Sequence, residues 1–184
     1  MSPYFFDSGK LNNGSDLVIT ADAYVSAIRD AGVNFDMIFG TAYKGISLAV
    51  AVAMSFALRG QDYPYAFNRK ESKEHGEGGN IIGAPLQGRV LLNDDVMTAG
   101  TALRESVEIV HAAGAEVAGL IIMLDRQEKE TGEKSAVQEA QESGVPVTAI
   151  ITLDNLVSYL EGDPEKADHL EAMRQYREEY GAKF

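Results

Sequence analysis

The sequence predicts an α/β fold: one mostly parallel central sheet flanked by helices on both faces. Three observations predict it. Between residues 35 and 151, short apolar runs alternate with segments of helical periodicity. The runs at 90–92 and 117–124 are continuously apolar, as strands buried on both faces are. A chain of 184 residues, 45% apolar and 24% charged, suits one core better than two, so a single domain over 1–184 is expected.

The elements follow in order. Ser15 is positioned to cap a helix through about Ala31, in which Leu17, Ala21, Val25 and Ile28 recur at helical spacing before Gly32 ends it. Residues 35–39 read as a strand. After a glycine-bounded turn, residues 46–58 form a nearly all-apolar helix closed by Gly60, implying burial between the sheet and another surface. Residues 65–68 are a short strand, and the polar, glycine-rich stretch 69–79 has no apolar periodicity, so it is expected to be a mobile loop. Strand 90–92, helix 101–113 closed by Gly114, strand 117–124, helix 135–143 and strand 145–151 repeat the alternation. A C-terminal amphipathic helix is expected, with Asp163 as cap, Pro164 at the first helical position, and Leu170, Met173, Tyr176 and Tyr180 along one stripe.

Composition narrows the function classes. There is no cysteine, which removes disulfides and thiolate metal sites and is compatible with a reducing compartment. Residues 1–10 lack the pattern of a signal peptide, and the longest apolar run, 46–58, is too short to span a bilayer, so a cytoplasmic protein with no membrane partner is expected. The net charge of −12 disfavours a nucleic-acid partner, whose phosphates dominate non-specific affinity.

The most informative stretch is residues 90–102, Val-Leu-Leu-Asn-Asp-Asp-Val-Met-Thr-Ala-Gly-Thr-Ala. An apolar strand delivers Asp94 and Asp95 to the carboxyl edge of a sheet, where open α/β folds bind ligands. A small, hydroxyl-rich turn follows and opens a helix, so free backbone N–H groups and the helix dipole create a phosphate site. Thr98 and Thr101 add hydroxyl donors, and Gly100 permits close approach. The acidic pair suits ribose hydroxyls and a hydrated Mg²⁺. Taken alone, the pair reads equally well as a solvated turn. Residues 39–45, Phe-Gly-Thr-Ala-Tyr-Lys-Gly, again join strand to helix, placing amides and the Lys44 ammonium where a pyrophosphate could sit; in isolation this is an ordinary turn with a solvated lysine. Residues 68–79, Asn-Arg-Lys-Glu-Ser-Lys-Glu-His-Gly-Glu-Gly-Gly, gather Arg69, Lys70, Lys73 and His75 in an otherwise acidic chain, a pattern that by itself fits a solvated charge run.

In its full context, strand-Asp-Asp-x-x-Thr-x-Gly-Thr-helix resembles the phosphoribosyl pyrophosphate (PRPP) signature of type I phosphoribosyltransferases. Arg-Lys-x-x-Lys-x-His-Gly-x-Gly-Gly resembles the catalytic loop of the orotate phosphoribosyltransferases of bacteria. Ser2-Pro3-Tyr4-Phe5-Phe6, Leu124-Asp125-Arg126-Gln127-Glu128 and Tyr176-Arg177-Glu178-Glu179-Tyr180-Gly181 extend the likeness from Ser2 to the end of the chain.

The resemblance implies the type I phosphoribosyltransferase fold and transfer of phosphoribosyl from PRPP to orotate, giving orotidine 5′-monophosphate and pyrophosphate in pyrimidine biosynthesis. Asp94 and Asp95 would hold the ribose hydroxyls, and residues 98–101 the 5′-phosphate. Tyr43, Lys44, Val96, Met97 and Ala102 would complete the PRPP site. Phe5, Phe6, Thr98 and Arg126 would bind orotate, the arginine fork matching its carboxylate. Without the family context, Phe5 and Phe6 read equally as core residues, and Arg126 as a partner of Asp125 or Glu128. Arg69, Lys70, Lys73 and His75 would act in catalysis, with Mg²⁺ held mainly through PRPP and water. The implied assembly is a homodimer in which the 69–79 loop of one copy reaches its partner's site. An acidic chain handling a polyanion needs its cations concentrated in this way. Family members carry an N-terminal helix and a Lys-Ser-Gly strand before Ser-Pro-Tyr-Phe-Phe, whereas here Met1 precedes Ser2. The expectation is therefore a truncated N-terminal hood with residues 1–14 as its remnant, and lowered activity. Competing readings are a purine phosphoribosyltransferase and a PRPP-fold regulatory binding protein. The first fits poorly with the 69–79 loop and Arg126, and the second would need a basic face.

Overall fold

The computed structural model describes residues 4, 6–73, 79–129, 132–162 and 164–183. Six strands form one sheet in the order β3-β2-β1-β4-β5-β6, comprising β1 (Met37–Gly40), β2 (Tyr65–Lys73), β3 (Gly79–Gly83), β4 (Arg89–Asn93), β5 (Glu116–Asp125) and β6 (Val147–Thr152). All neighbours pair in parallel except β2 with β3, which is antiparallel. The helices are α1 (Gly14–Asp30), α2 (Lys44–Ala57), α3 (Thr101–Ala112), α4 (Ala136–Glu142), α5 (Leu153–Glu161) and α6 (Ala167–Tyr180). Among the described residues no helix is long and apolar enough to cross a membrane.

Side-chain alternation along the strands sorts the core into two layers. Ile38, Leu91 and Ile121 face α1 and α2, joining Tyr24, Val25, Ile28, Leu48, Val52 and Phe56. Met37, Phe39, Val90, Leu92 and Ile122 face the other way, with Leu103 and Val110 of α3 and Val137 and Ala140 of α4. Because both faces are covered, the strands have to be apolar at successive positions, which is the pattern the sequence shows. A third, smaller cluster joins Leu153 and Val157 of α5 to Met173 of α6, with Tyr4 and Leu170 packed on it.

Several expectations are corrected. The cap of α1 is Asn13, whose side chain accepts from the Asp16 N–H at 3.0 Å, and not Ser15. The stretch expected to be loop from Arg69 continues as strand to Lys73, because β3, which periodicity did not reveal, supplies a backbone partner: Asn68 pairs with Ile81 and Lys73 with Gly79 across an irregular register. α5 was also missed. It starts at a Thr152/Asn155 capping box directly after β6, where the sequence reads only as the end of a strand. Pro164 opens a 3₁₀ turn (Pro164–Lys166) and not α6 itself. The expected cap Asp163 lies outside the described residues.

Candidate active site

In this strand order the chain direction across the sheet reverses between β1 and β4. Open α/β sheets bind ligands at such a switch point, beyond the carboxyl ends of the strands. The two loops singled out in the sequence, after β1 and after β4, leave from those two ends.

The loop after β1 is held by backbone contacts. Thr41 donates through its N–H (3.1 Å) and its hydroxyl (3.3 Å) to the Asn93 carbonyl of β4. The Ala42 N–H donates to the side-chain oxygen of buried Asn68 at 2.9 Å. Gly40 and Gly45 are required by proximity: a Cβ on Gly45 would lie 2.1 Å from the Asn93 carbonyl oxygen, and one on Gly40 2.4 Å from that of Gly45. Tyr43 is exposed, and Lys44 opens α2, which has no side-chain cap and no acidic residue in its first turn.

The loop after β4 starts as an extension of the sheet. Asp94 donates its N–H to Ile121 O at 3.1 Å, Met123 donates to Asp95 O at 2.8 Å, and Val96 bridges Leu124. Residues 96–102, with Thr41 and Asp94, then line a cavity of about 230 Å³. Gly100 adopts φ 63° and leads into α3, whose N-terminus again has neither a side-chain cap nor an acidic residue. The orphan N–H groups of its first turn are therefore available to an anion. Arg104 steadies this turn by donating to Ala99 O at 2.7 Å.

The acidic pair sits in a polar environment tuned by burial. Removal from water raises the Asp94 carboxyl from an ordinary value near 3.8 to about 6, opposed by hydrogen bonds from Thr41 and the Asp95 N–H. Tyr24, buried in the α1 layer, donates its hydroxyl to Asp94 O at 2.6 Å, and burial raises its own pKa. Asp95 accepts from the Ser8 hydroxyl at 2.5 Å, and Lys44 donates to that same hydroxyl at 2.9 Å, with its ammonium 4.0 Å from Asp95. A turn preceding α1 thus links the two loops.

A second cavity, of about 280 Å³, adjoins the first through Met97 and Thr98 and is lined by Asp125, Arg126 and Gln127. Thr98 and Arg126 therefore face one space. The Arg126 guanidinium pairs with Glu128 at 2.8 Å and donates to the Tyr4 hydroxyl at 3.2 Å, so its ion pair with Glu128, one of the alternatives left open in the sequence, is present alongside its place in the cavity. Burial pushes the Tyr4 phenol up to about 12. Phe6 packs against the α1–α2 core layer, whereas Phe5 and His75 lie outside the described residues. Arg69, Lys70 and Lys73 lie on β2, whose start pairs with β1. Among the described residues, no three His, Cys, Asp or Glu side chains gather as a metal site. Thr41, Asn68, Tyr24 and Ser8 were not identified from the sequence, because their roles arise from contacts across 26 to 87 residues of chain.

A mostly parallel sheet carries an uncapped, acid-flanked loop at its switch point, and the chain matches the phosphoribosyl transferase domain family over residues 8–148, which makes it a phosphoribosyltransferase by class. It is 57% identical to the orotate phosphoribosyltransferase of Marinobacter nauticus over 181 residues, covering 98% of this chain and 85% of that protein. With that of Chromobacterium violaceum it shares 55% identity, with the same coverage of each. The crystal structure of the Francisella tularensis orotate phosphoribosyltransferase superposes with a TM-score of 0.88 at 38% identity, covering 98% of this chain and 88% of that one. The chain belongs to the orotate phosphoribosyltransferase family.

Proposed function

We propose that the protein transfers the phosphoribosyl group of PRPP to orotate, releasing pyrophosphate and forming orotidine 5′-monophosphate. One observation carries the reading: the cavity under the α3 N-terminus shares Met97 and Thr98 with the cavity lined by Arg126. A sugar phosphate and a planar carboxylate can then be held side by side, as the reaction needs.

In this reading the 5′-phosphate is held by residues 98–101, and the ribose hydroxyls donate to Asp94 and Asp95. The orotate carboxylate accepts from Arg126, with Thr98 beside the ring; Phe5 belongs to the orotate side of the site, whereas Phe6 packs on the α1–α2 core layer. A ring nitrogen of orotate displaces pyrophosphate at the anomeric carbon through an oxocarbenium-like transition state, so no protein nucleophile is required. The chain's own contribution is positioning and charge stabilisation of the departing group by Tyr43, Lys44, Arg69, Lys70, Lys73 and His75. Mg²⁺ would be held mainly through PRPP and water, and Asp94 and Asp95 beside it are hard oxygen groups that fit such a hydrated ion. When bound, it would neutralise charge on the pyrophosphate.

We further propose a cytoplasmic homodimer in which segment 69–79, whose start is strand β2, lends its cations to the partner's site. The likeness to the orotate-specific family and the clustering of cations on this segment of an acidic chain support both points. Loss of orotate absorbance with PRPP and Mg²⁺, set beside adenine and guanine, tests the activity: turnover with orotate alone is expected, and turnover with a purine would overturn the assignment. Mixing Lys73→Ala with Asp95→Asn protein tests the shared site, because mixed dimers should regain activity that neither variant has.

A further inference from the structure

The C-terminal match Tyr-Arg-Glu-Glu-Tyr-Gly has no part in the chemistry above, yet it ends against the segment that carries Arg126. Gln127, the next residue, is the only non-glycine among the described residues with a left-handed backbone, at φ 51°. That conformation is unfavourable for a side chain with a Cβ and persists only where the surroundings enforce it. Here they do. Its N–H donates to Asp125 Oδ1 at 2.8 Å, and its carbonyl accepts from the Ala182 N–H at 2.8 Å. Its side-chain amide makes a reciprocal pair with Asp154 at the start of α5, donating to the carboxylate at 3.1 Å and accepting from the backbone N–H at 2.9 Å. Asp154 is in turn held by Arg177 of α6 at 2.6 Å. Glu128 bridges Gly181, and the Lys129 N–H donates to Tyr180 O at 2.9 Å, so the tail and this loop run as a short antiparallel ladder.

We infer that Gln127 is a positioning residue that aims Arg126 into the orotate cavity, and that Asp154 and the C-terminal tail exist at this point to hold it there. The inference rests on the proposed role of Arg126. A backbone fixed from two sides at residue 127 sets the direction in which the preceding side chain leaves the chain. In that direction Arg126 flanks Thr98 in the same cavity. The device acts on orotate and not on PRPP, whose cavity Gln127 does not line.

The test compares Gln127→Gly, Asp154→Ala and Arg126→Ala by steady-state kinetics in both substrates, with melting temperatures. Glycine accepts the left-handed backbone without strain, so Gln127→Gly should fold; it removes the side-chain anchor together with the part of the cavity wall that Gln127 supplies, and Asp154→Ala, which leaves that wall in place, separates the two. We expect its KM for orotate to rise about tenfold with the KM for PRPP nearly unchanged, as losing one hydrogen bond to a carboxylate and one to a backbone N–H would give. Asp154→Ala should shift the same constant in the same direction. An unchanged orotate KM in Gln127→Gly, or an equal rise in both KM values, would overturn the inference. If Arg126→Ala leaves the orotate KM unmoved, the underlying reading fails instead.

Discussion

Four helices start at the carboxyl edge of the sheet, and they differ in how they begin. α4 and α5 start with capping boxes, Ser135 with Gln138 and Thr152 with Asn155, in which each residue's side chain satisfies the other's backbone N–H. α2 and α3, which flank the switch point, have no side-chain cap and no acid in the first turn. A missing cap typically costs about 1 kcal/mol. The helices that meet the site go without that stability, and in the proposed function a bound anion would take the place of the cap. Within this uncapped pair there is a second difference. The loop into α2 is locked by contacts to Asn93 and Asn68 and has no room for a Cβ at Gly40 or Gly45, while the loop into α3 opens onto a cavity. One loop is a fixed wall, and the other borders an open cavity, the receptor of the proposed function.

The largest effect should come from breaking the wall. Gly45→Ala forces a Cβ against the Asn93 carbonyl. It is expected to cost about 3 kcal/mol or more and to lower the melting temperature by roughly 6–12 °C. A variant that melts with the parent would end the contrast between the loops.

Next is Asp94, where function opposes stability. Its carboxyl titrates near 6 in the folded protein against 3.8 when free, so between those values the folded state binds more protons and stability falls as pH rises. Above about pH 6 the buried charge costs about 2–3 kcal/mol in the unliganded protein. Asp94→Asn should therefore raise the melting temperature at pH 7, with little gain at pH 4, while weakening PRPP binding at least about tenfold. In the parent, kcat/KM for PRPP should fall as pH drops below about 6, because the protonated carboxyl is a poorer acceptor for ribose hydroxyls. A lower melting temperature for Asp94→Asn at pH 7 would contradict this account.

A smaller effect, confined to binding, is expected at the receptor. Thr101→Phe should cost about 1.5 kcal/mol or more in PRPP affinity by calorimetry, roughly tenfold, and leave both orotate recognition and melting temperature close to the parent's. The smallest effect should fall on a capped helix: Ser135→Ala should lower the melting temperature by about 2–4 °C, as the loss of about 1 kcal/mol does in a domain of this size, with both KM values unchanged. Equal kinetic damage from Thr101→Phe and Ser135→Ala would show that capping does not separate the two classes of helix.

The sequence by itself determined what depends on neighbours in the chain. The apolar runs of β4 and β5, the nearly all-apolar α2 closed by Gly60, the α3 segment closed by Gly114, and the Asp-Asp-x-x-Thr-x-Gly-Thr stretch are local patterns. A strand followed at once by a small, glycine-containing turn and a helix is a pattern of phosphate sites that adjoining residues alone can reveal. Tertiary structure decided what depends on distant partners. The edge strand β3 and the extension of β2 to Lys73 exist through pairing, and neither a five-residue strand bounded by glycines nor the charged end of its neighbour carries much signature of its own. Thr41, Asn68, Tyr24 and Ser8 became part of the site only when folding brought them to Asn93, Ala42, Asp94 and Asp95. The shift at Asp94 is likewise a product of burial, which composition cannot reveal. Gln127 shows the division most clearly. Nothing in Leu-Asp-Arg-Gln-Glu announces a left-handed residue, because the groups that hold it there, Asp154 and Ala182, lie 27 and 55 residues further along the chain and meet it only in the fold.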